Sequence, residues 1–509
     1  MKFLKILFSK IFISFLALVV QLAAFFTVFF VFEQYIVILQ IVSYIFGLLI
    51  VFGIIGKKEP PEFKTPWLVI ILILPFFGLV IYSMFANSKM PTAQYKKMVD
   101  VTCRCKKYSE LSPDENEEVL KELGKNTGIE YYLRRNSFSR GHVHNKANYF
   151  RCGEDFYSDL LSELEKAEKF IFMEYFIVEH GIMWDGIHEI LKRKAGQGVE
   201  VRFMYDDIGS AGLVSGSYYK KLKKEGVNCI KFNPFRPVLS GIHNNRDHRK
   251  ITVIDGKCAY TGGMNIADEY INKKKRFGYW KDTAVKIQGS AVGNFTAMFL
   301  QMFDASAKSF SDYSKYLDIE YERFEEEGYI HPFGDGPKPF YKELVGSNNY
   351  INIINSAKEY VYVTTPYLIP DYNLVCALRN AAYRGVDVKI ITPSIPDKKI
   401  IFNMSRSNYN YLLEAGVKIY EYSPGFIHAK QMVADGNAAF VGTVNLDYRS
   451  LVHHYECGAV FCNSPCIADI KADFDKILSL SYEITCDNFK MSFFGALLNA
   501  VLNLFSPML

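Results

Sequence analysis

Two stretches of this sequence carry the same arrangement of chemically active residues. The first is His248-x-Lys250, then Asp255, Gly262 and Asn265; the second is His428-x-Lys430, then Asp435, Gly442 and Asn445, at identical intervals. On an extended strand, residues i and i+2 share a face. Each His therefore projects beside its Lys, while Ile251 and Val253 point to the opposite side. A histidine next to a lysine is a poor core pair, because both lose solvation when buried without partners. It is a good anion site: lysine neutralises a phosphate as a point charge, and imidazole can attack or carry a proton near neutral pH. Gly262 and Gly442 allow close backbone approach, and the Asn265 and Asn445 amides can donate to phosphate oxygens. Two such clusters read as phosphate chemistry by titratable groups.

The elements that must position these residues also occur twice. In the first half, buried strands are expected at 169–178, 198–207, 226–232, 248–255 and 259–263, with a helix over 184–195. In the second half, strands are expected at 359–369, 385–392, 416–422, 428–435 and 438–443, with helices over 371–384 and 411–415. The halves are offset by 187 residues at Gly198/Gly385, 190 at Gly226/Gly416 and 180 at His248/His428. Element order is kept while loop lengths drift, as in an old internal duplication. Alternating strands and helices predict α/β architecture: two similar domains, each a mixed sheet flanked by helices, packed together.

Composition points to a further, unlike part. The 509 residues are 50% hydrophobic and 22% charged, which excludes a disordered or fibrous chain. Charge-free runs occupy 11–32, 35–55 and 66–86, each long enough to cross a hydrocarbon core. They predict a membrane anchor over residues 1–90 that precedes the soluble region. Lys2, Lys5 and Lys10 precede the first run, and Lys57, Lys58 and Lys64 precede the third, which puts both clusters in the cytoplasm. Three full spans would then leave residues 87–509 outside. Lys89, Lys96, Lys97, Arg104, Lys106 and Lys107 pull the other way, and a first segment lying in the interface would leave two spans. The net charge of +5 is too mild for a nucleic-acid binder. Ten cysteines without a CxxC pair read as free thiols in a reducing compartment, and no metal-ligand spacing is visible.

The doubled motif resembles the phospholipase D superfamily. Several segments narrow the likeness to bacterial cardiolipin synthases, over about residue 125 to the C-terminus: MEYFI (173–177), MYDDIGS (204–210), NRDHRKITVIDG (245–256), FGYWKDT (277–283), TTPYLIPD (364–371) and GTVNLDYRS (442–450). The resemblance implies two phospholipase D-like domains about a pseudo-twofold axis, at 146–310 and 336–490. A connector at 91–145, a linker at 311–335 and an apolar segment at 491–509 complete the chain. It implies one shared active site, with His248, Lys250, Asp255, His428, Lys430 and Asp435 as the catalytic motif residues. Asn265 and Asn445 would bind the substrate phosphate, and Asp282 and Glu456 would orient the histidines; Asp255 and Asp435 look more like turn anchors.

The implied reaction is transfer of a phosphatidyl group from one phosphatidylglycerol to another through a phosphatidyl-histidine, with His248 as nucleophile. It gives cardiolipin and glycerol and uses no cofactor or metal. Implied partners are phosphatidylglycerol, cardiolipin and the bilayer, with no nucleic acid, and the implied place is the cell membrane, catalytic region cytoplasmic. Phospholipid hydrolysis, nuclease activity and a lipid-binding scaffold are the alternatives. The chain departs from the family at His454, where asparagine is common, and at Gly263 and Thr443, where serine is common.

Overall fold

The computed structural model describes residues 19, 23, 27, 36–86, 92–235, 241–307, 310–486 and 493–508. They divide into two compact units: 1–89 with 234–245 and 500–509, and 90–233 with 246–499.

The larger unit contains the duplicated region as two sheets. The first runs in the order Lys146–Phe150, Ala284–Gln288, Cys258–Gly262, Lys250–Ile254, Phe170–Tyr175, Glu200–Asp206 and Asn228–Phe232. The second repeats that order as Tyr329–Asp335, Glu456–Cys462, Ala438–Gly442, Gln431–Ala434, Tyr360–Thr364, Asp387–Pro393 and Lys418–Tyr422. Short strands at His142–Val143 and Ser481–Ile484 extend its edges. In each sheet one strand, Phe170–Tyr175 or Tyr360–Thr364, pairs parallel on one side and antiparallel on the other. The parallel pairs need crossover helices, supplied by Ile182–Gly196 and Tyr372–Tyr383. Asp371 caps the second of these by accepting from the Leu374 N–H at 3.0 Å. Every residue of Phe170–Tyr175 and Lys250–Ile254 is buried, which explains their nearly unbroken apolar character.

One expected boundary moves, and the connector joins the core. The 311–335 segment is more than a linker: Tyr329–Asp335 pairs antiparallel with Glu456–Cys462 and is an integral strand of the second sheet. It occupies the place that Lys146–Phe150 holds in the first sheet, so the duplication needs it. The 91–145 connector is helical, over Thr92–Cys105, Pro113–Leu123 and Thr127–Asn136. It also contributes to the core, through Met98, Val101, Val119, Leu123, Ile129 and Leu133.

In the smaller unit the run expected at 11–32 lies almost wholly outside the described residues. Ile36–Ile55 is a helix of 20 residues without a charge. The run at 66–86 is not one helix. It forms Pro61–Ile73 and Pro75–Phe85, broken at Leu74 (φ −131°, ψ 73°). Proline lacks the N–H of the helical ladder and clashes with the preceding turn; here the chain reverses at that point. The ring of Trp67 packs edge-on against Tyr82, with centroids 5.2 Å apart. A Cβ on Gly78 would lie 2.6 Å from Ile71 Cα, so only glycine allows this backbone approach. Among the described residues no helix is long and apolar enough to cross a membrane; for Ile36–Ile55 the side chains of Ile36, Leu39 and Gln40 fall outside the described set.

Candidate active site

Both motifs arrive at the site by the same local route. Lys250 opens a strand and His248 precedes it by two residues; His428 and Lys430 lie just ahead of Gln431–Ala434. Each strand then turns back through an Asp-Gly pair at positive φ, Asp255 (54°) with Gly256 (69°) and Asp435 (49°) with Gly436 (65°), a sequence suited to tight hairpins. The aspartates serve this end of the strand. Asp255 accepts from the backbone N–H groups of Glu168, Lys169 and Phe170 at 2.7–2.8 Å. Asp435 accepts from those of Lys358, Glu359 and Tyr360 at 2.8–2.9 Å. The structure therefore does not bring Asp255 and Asp435 to the histidines. Asp255→Ala would orphan three amides, and we expect a loss of about 2–3 kcal/mol in urea unfolding. Turnover per folded molecule should stay within a few-fold of the parent.

Each histidine is held by a carboxylate from the other half. His248 Nδ1 lies 2.9 and 3.0 Å from the two oxygens of Glu456. His428 Nδ1 lies 2.7 Å from Asp282 Oδ2. The backbone crosses in the same way: the His248 N–H donates to Tyr455 O at 2.9 Å, and the His428 N–H to Lys281 O at 2.7 Å. Tyr279–Lys281 also pairs in parallel with Gly425–Ile427. Because Nδ1 faces a carboxylate in both cases, the proton of each neutral imidazole sits there and Nε2 keeps its lone pair. The rings are seated on aromatic neighbours. Phe176 lies 5.1 Å from His248, and Tyr270, Trp280 and Phe426 lie 5.4–5.9 Å from His428, all between centroids.

The two carboxylates differ in surroundings. Glu456 also accepts from the Thr443 and Ser450 hydroxyls. Asp282 accepts from the Thr283 N–H at 2.8 Å. At the position matching Thr443, Gly263 leaves room for it, since a Cβ there would lie 2.0 Å from Asp282 Oδ1. Thr443 and Gly263 are thus not interchangeable small residues: one donates to the carboxylate and the other makes way for it.

Charge is concentrated in this buried site. Lys250 and Lys430 each donate to the carbonyl of their own histidine, and Lys430 Nζ lies 2.8 Å from His428 Nδ1. Burial, opposed by Glu456, pulls Lys250 down to about 8, and burial, opposed by Asp282, pulls Lys430 down to about 7. Burial, reinforced by Lys250 and Lys430, holds His248 well below its ordinary value. Burial and Lys430 lower His428 to about 4, less than they otherwise would because Asp282 adjoins it. Burial alone would raise Asp282, but His428 and Lys430 hold its carboxyl below the usual range. These groups titrate as one cluster, in which the two lysines face the two carboxylates.

The two asparagines are placed differently from each other. Asn265 is already engaged: its Oδ1 accepts from the Ile177 N–H at 3.1 Å and its Nδ2 donates to Tyr270 Oη at 2.7 Å. Asn445 Oδ1 has no hydrogen-bond partner. His454, whose role spacing did not reveal, is buried with its ring centroid 5.3 Å from that of His248. Its Nδ1 lies 3.7 Å from Glu456 Oε1, and neither ring nitrogen makes a hydrogen bond. Among the described residues, His248, His454 and Glu456 are the group whose ligand atoms lie close enough for a cation, within 4.8 Å. The neighbouring lysine ammoniums fit an anion better.

Comparison with known proteins gives the following. The family described as "Cardiolipin synthase, PLD-like domain" matches residues 160–301 and 350–478. An uncharacterized protein of Streptococcus mutans is 42% identical over 87% of this chain and 96% of its own length. A cardiolipin synthase of Alkalihalophilus pseudofirmus is 34% identical over 92% of this chain and 93% of its own. A cardiolipin synthase of a Geobacillus species is 35% identical over 90% and 91%. Among solved structures, the phosphatidylserine synthase of Haemophilus influenzae shares the fold, with a TM-score of 0.56 at 12% identity over 76% of this chain and all of that one.

Proposed function

This chain belongs to the PLD-like cardiolipin synthase family, and we propose that its crossed histidine–carboxylate pairs transfer a phosphatidyl group from one phosphatidylglycerol to another. It is a phosphatidyltransferase. The observation that carries the proposed course is the pairing of each histidine, through Nδ1, with a carboxylate of the other half in one lysine-lined site. One Nε2 attacks the phosphorus, and the bond to the departing glycerol oxygen breaks. The other imidazole, protonated when the phosphodiester enters among the lysines, gives that oxygen its proton. A phosphatidyl-histidine remains. The same second imidazole then takes the proton from a hydroxyl of another phosphatidylglycerol. That oxygen attacks phosphorus, the P–N bond breaks, and cardiolipin leaves. His428, held by a carboxylate with fewer competing donors, is the less depressed imidazole, which suits it to carry the proton and leaves His248 as nucleophile. Lys250 and Lys430 neutralise the equatorial oxygens as charge builds.

The test is incubation of the purified full chain with phosphatidylglycerol liposomes and a chelator. Cardiolipin with an equal amount of glycerol is expected. Phosphatidic acid alone would replace transfer with hydrolysis, and DNA cleavage without lipid turnover would overturn both.

The pH dependence follows from the lysines. In the free enzyme their charge is present below about 7–8 and lost above it. kcat/KM for phosphatidylglycerol should therefore fall as pH rises through that window. The decline in kcat should come at higher pH, because a bound phosphodiester holds the ammoniums protonated. Coincident decline of the two profiles would argue against phosphate binding by Lys250 and Lys430.

The reading also places the chain at the cell membrane, with the smaller unit inserted and the catalytic region cytoplasmic. It is supported by the exposed apolar side chains of Ile36–Ile55, among them Val37, Ile38, Ile41, Leu49 and Phe52. The lipid nature of the substrate supports it too.

A further inference from the structure

We infer that residues 61–85 form a re-entrant hairpin that enters the bilayer from the cytoplasmic face, turns at Leu74 near its middle and returns to the same face. This rests on the membrane reading above and replaces the third span expected from hydropathy. Three observations converge on it.

The first is length. Pro61–Ile73 has 13 residues and Pro75–Phe85 has 11. At 1.5 Å per residue each reaches about 16–20 Å, well short of a ~30 Å hydrocarbon core. The second is depth. A Cβ on Gly47 would lie 3.4 Å from Ile71 Cγ2 and 3.7 Å from Pro75 Cβ, so the hairpin tip packs beside Gly47. Gly47 is eight residues before the C-terminal end of Ile36–Ile55, or about 12 Å along its axis. If that helix spans, the tip sits near mid-bilayer. The tip is apolar and open, with Leu72, Ile73 and Leu74 exposed at 49%, 67% and 53%. The irregular backbone at Leu74 is short, and its N–H is satisfied by Ile70 O at 2.9 Å, as the hydrocarbon requires.

The third is the chemistry of the open end. Lys57 Nζ donates to Tyr82 Oη at 2.9 Å, and Lys64 Nζ caps the long helix at Ile55 O at 3.0 Å. Trp67 packs on Tyr82. Lysines with tryptophan and tyrosine mark a membrane–water interface, and here they gather at the end where both hairpin termini lie. A same-side hairpin also removes the conflict in the charge pattern. Lys57, Lys58 and Lys64 before it and Lys89, Lys96 and Lys97 after it fall on one side. One cytoplasmic side for both clusters agrees with the positive-inside rule.

The test uses the full chain in phosphatidylethanolamine–phosphatidylglycerol vesicles, with Cys103→Ser and Cys486→Ser to remove exposed thiols. Into this background go Lys58→Cys, Ala86→Cys or Ile73→Cys. The hairpin requires that positions 58 and 86 react with an impermeant maleimide from the same face. A fluorophore at position 73 should be shielded from aqueous quencher on both faces and quenched most strongly by nitroxides deep in the acyl chains. Reaction of 58 and 86 from opposite faces, with the protein retained in the vesicles, overturns the hairpin and leaves the membrane reading standing. Release of the protein by alkaline carbonate overturns both. An Ile73 fluorophore open to aqueous quencher in retained protein also overturns the hairpin.

Discussion

His248→Ala and His428→Ala are each expected to lower cardiolipin formation by at least about 10⁴-fold, and the double variant to be no worse than either. Residues that act as one unit lose their effect together, so single and combined removals converge. Burial makes the readout clean: the histidines are 6% and 7% exposed, and each is fixed through Nδ1. The two variants should differ in what they leave behind. If His248 attacks, His428→Ala removes the proton donor but not the nucleophile. A phosphatidyl adduct should then accumulate slowly on the peptide carrying His248, detectable by mass spectrometry after acid-free digestion. An adduct on His428 in His248→Ala would reverse the two roles. Full activity in either variant would remove the site assignment altogether.

Glu456→Gln is expected to behave like His248→Ala, and Asp282→Asn like His428→Ala, although each carboxylate lies in the opposite half of the sequence from the histidine it serves. An amide in place of the carboxylate offers an N–H as well as an oxygen to Nδ1. It can therefore turn the imidazole to the tautomer in which Nε2 carries the proton and cannot attack. The same exchange in a Ser-His-Asp triad lowers turnover by about 10⁴ with the geometry intact, and a comparable drop of about 10³–10⁴ is expected here. A buried ammonium also loses its counter-charge, so thermal midpoints should be recorded alongside kcat/KM to separate unfolding from chemistry. The adduct test carries over. Asp282→Asn should allow an adduct on His248, whereas Glu456→Gln should not. An adduct on His248 in Glu456→Gln, with none in Asp282→Asn, would show that each carboxylate serves the histidine of its own half.

Much of this molecule is legible in the sequence because its signals are local. Strand and helix order follow from apolar runs such as FIFMEY and from turn residues such as Asp255-Gly256, whose conformational demands do not depend on distant partners. The motif spacing brought His248 and Lys250, and His428 and Lys430, together for the same reason. The Asp255-Gly256 and Asp435-Gly436 turns are local too, but the amides their aspartates accept from lie far back in the chain, and only the fold brings them there. Where hydropathy misled, it was through averaging. The run at 66–86 is apolar throughout, and an apolar stretch reads alike whether it continues or doubles back; the reversal depends on Pro75 together with the space at Gly78.

The sequence by itself determined the duplication, the α/β elements and the chemical types gathered at the motifs. All of these are periodic or short-range properties of the chain. Only the tertiary structure decided that Glu456 serves His248 and Asp282 serves His428. It alone distinguished Thr443 as a hydroxyl donor to one carboxylate from Gly263 as the space left for the other, seated His454 beside His248, and made 329–335 a strand of the second sheet. The histidine–carboxylate pairs, the seat of His454 and the pairing of 329–335 each join residues far apart in sequence. Such a contact is selected by the packing of two sheets against each other, and no spacing along the chain encodes which partner will be across the interface.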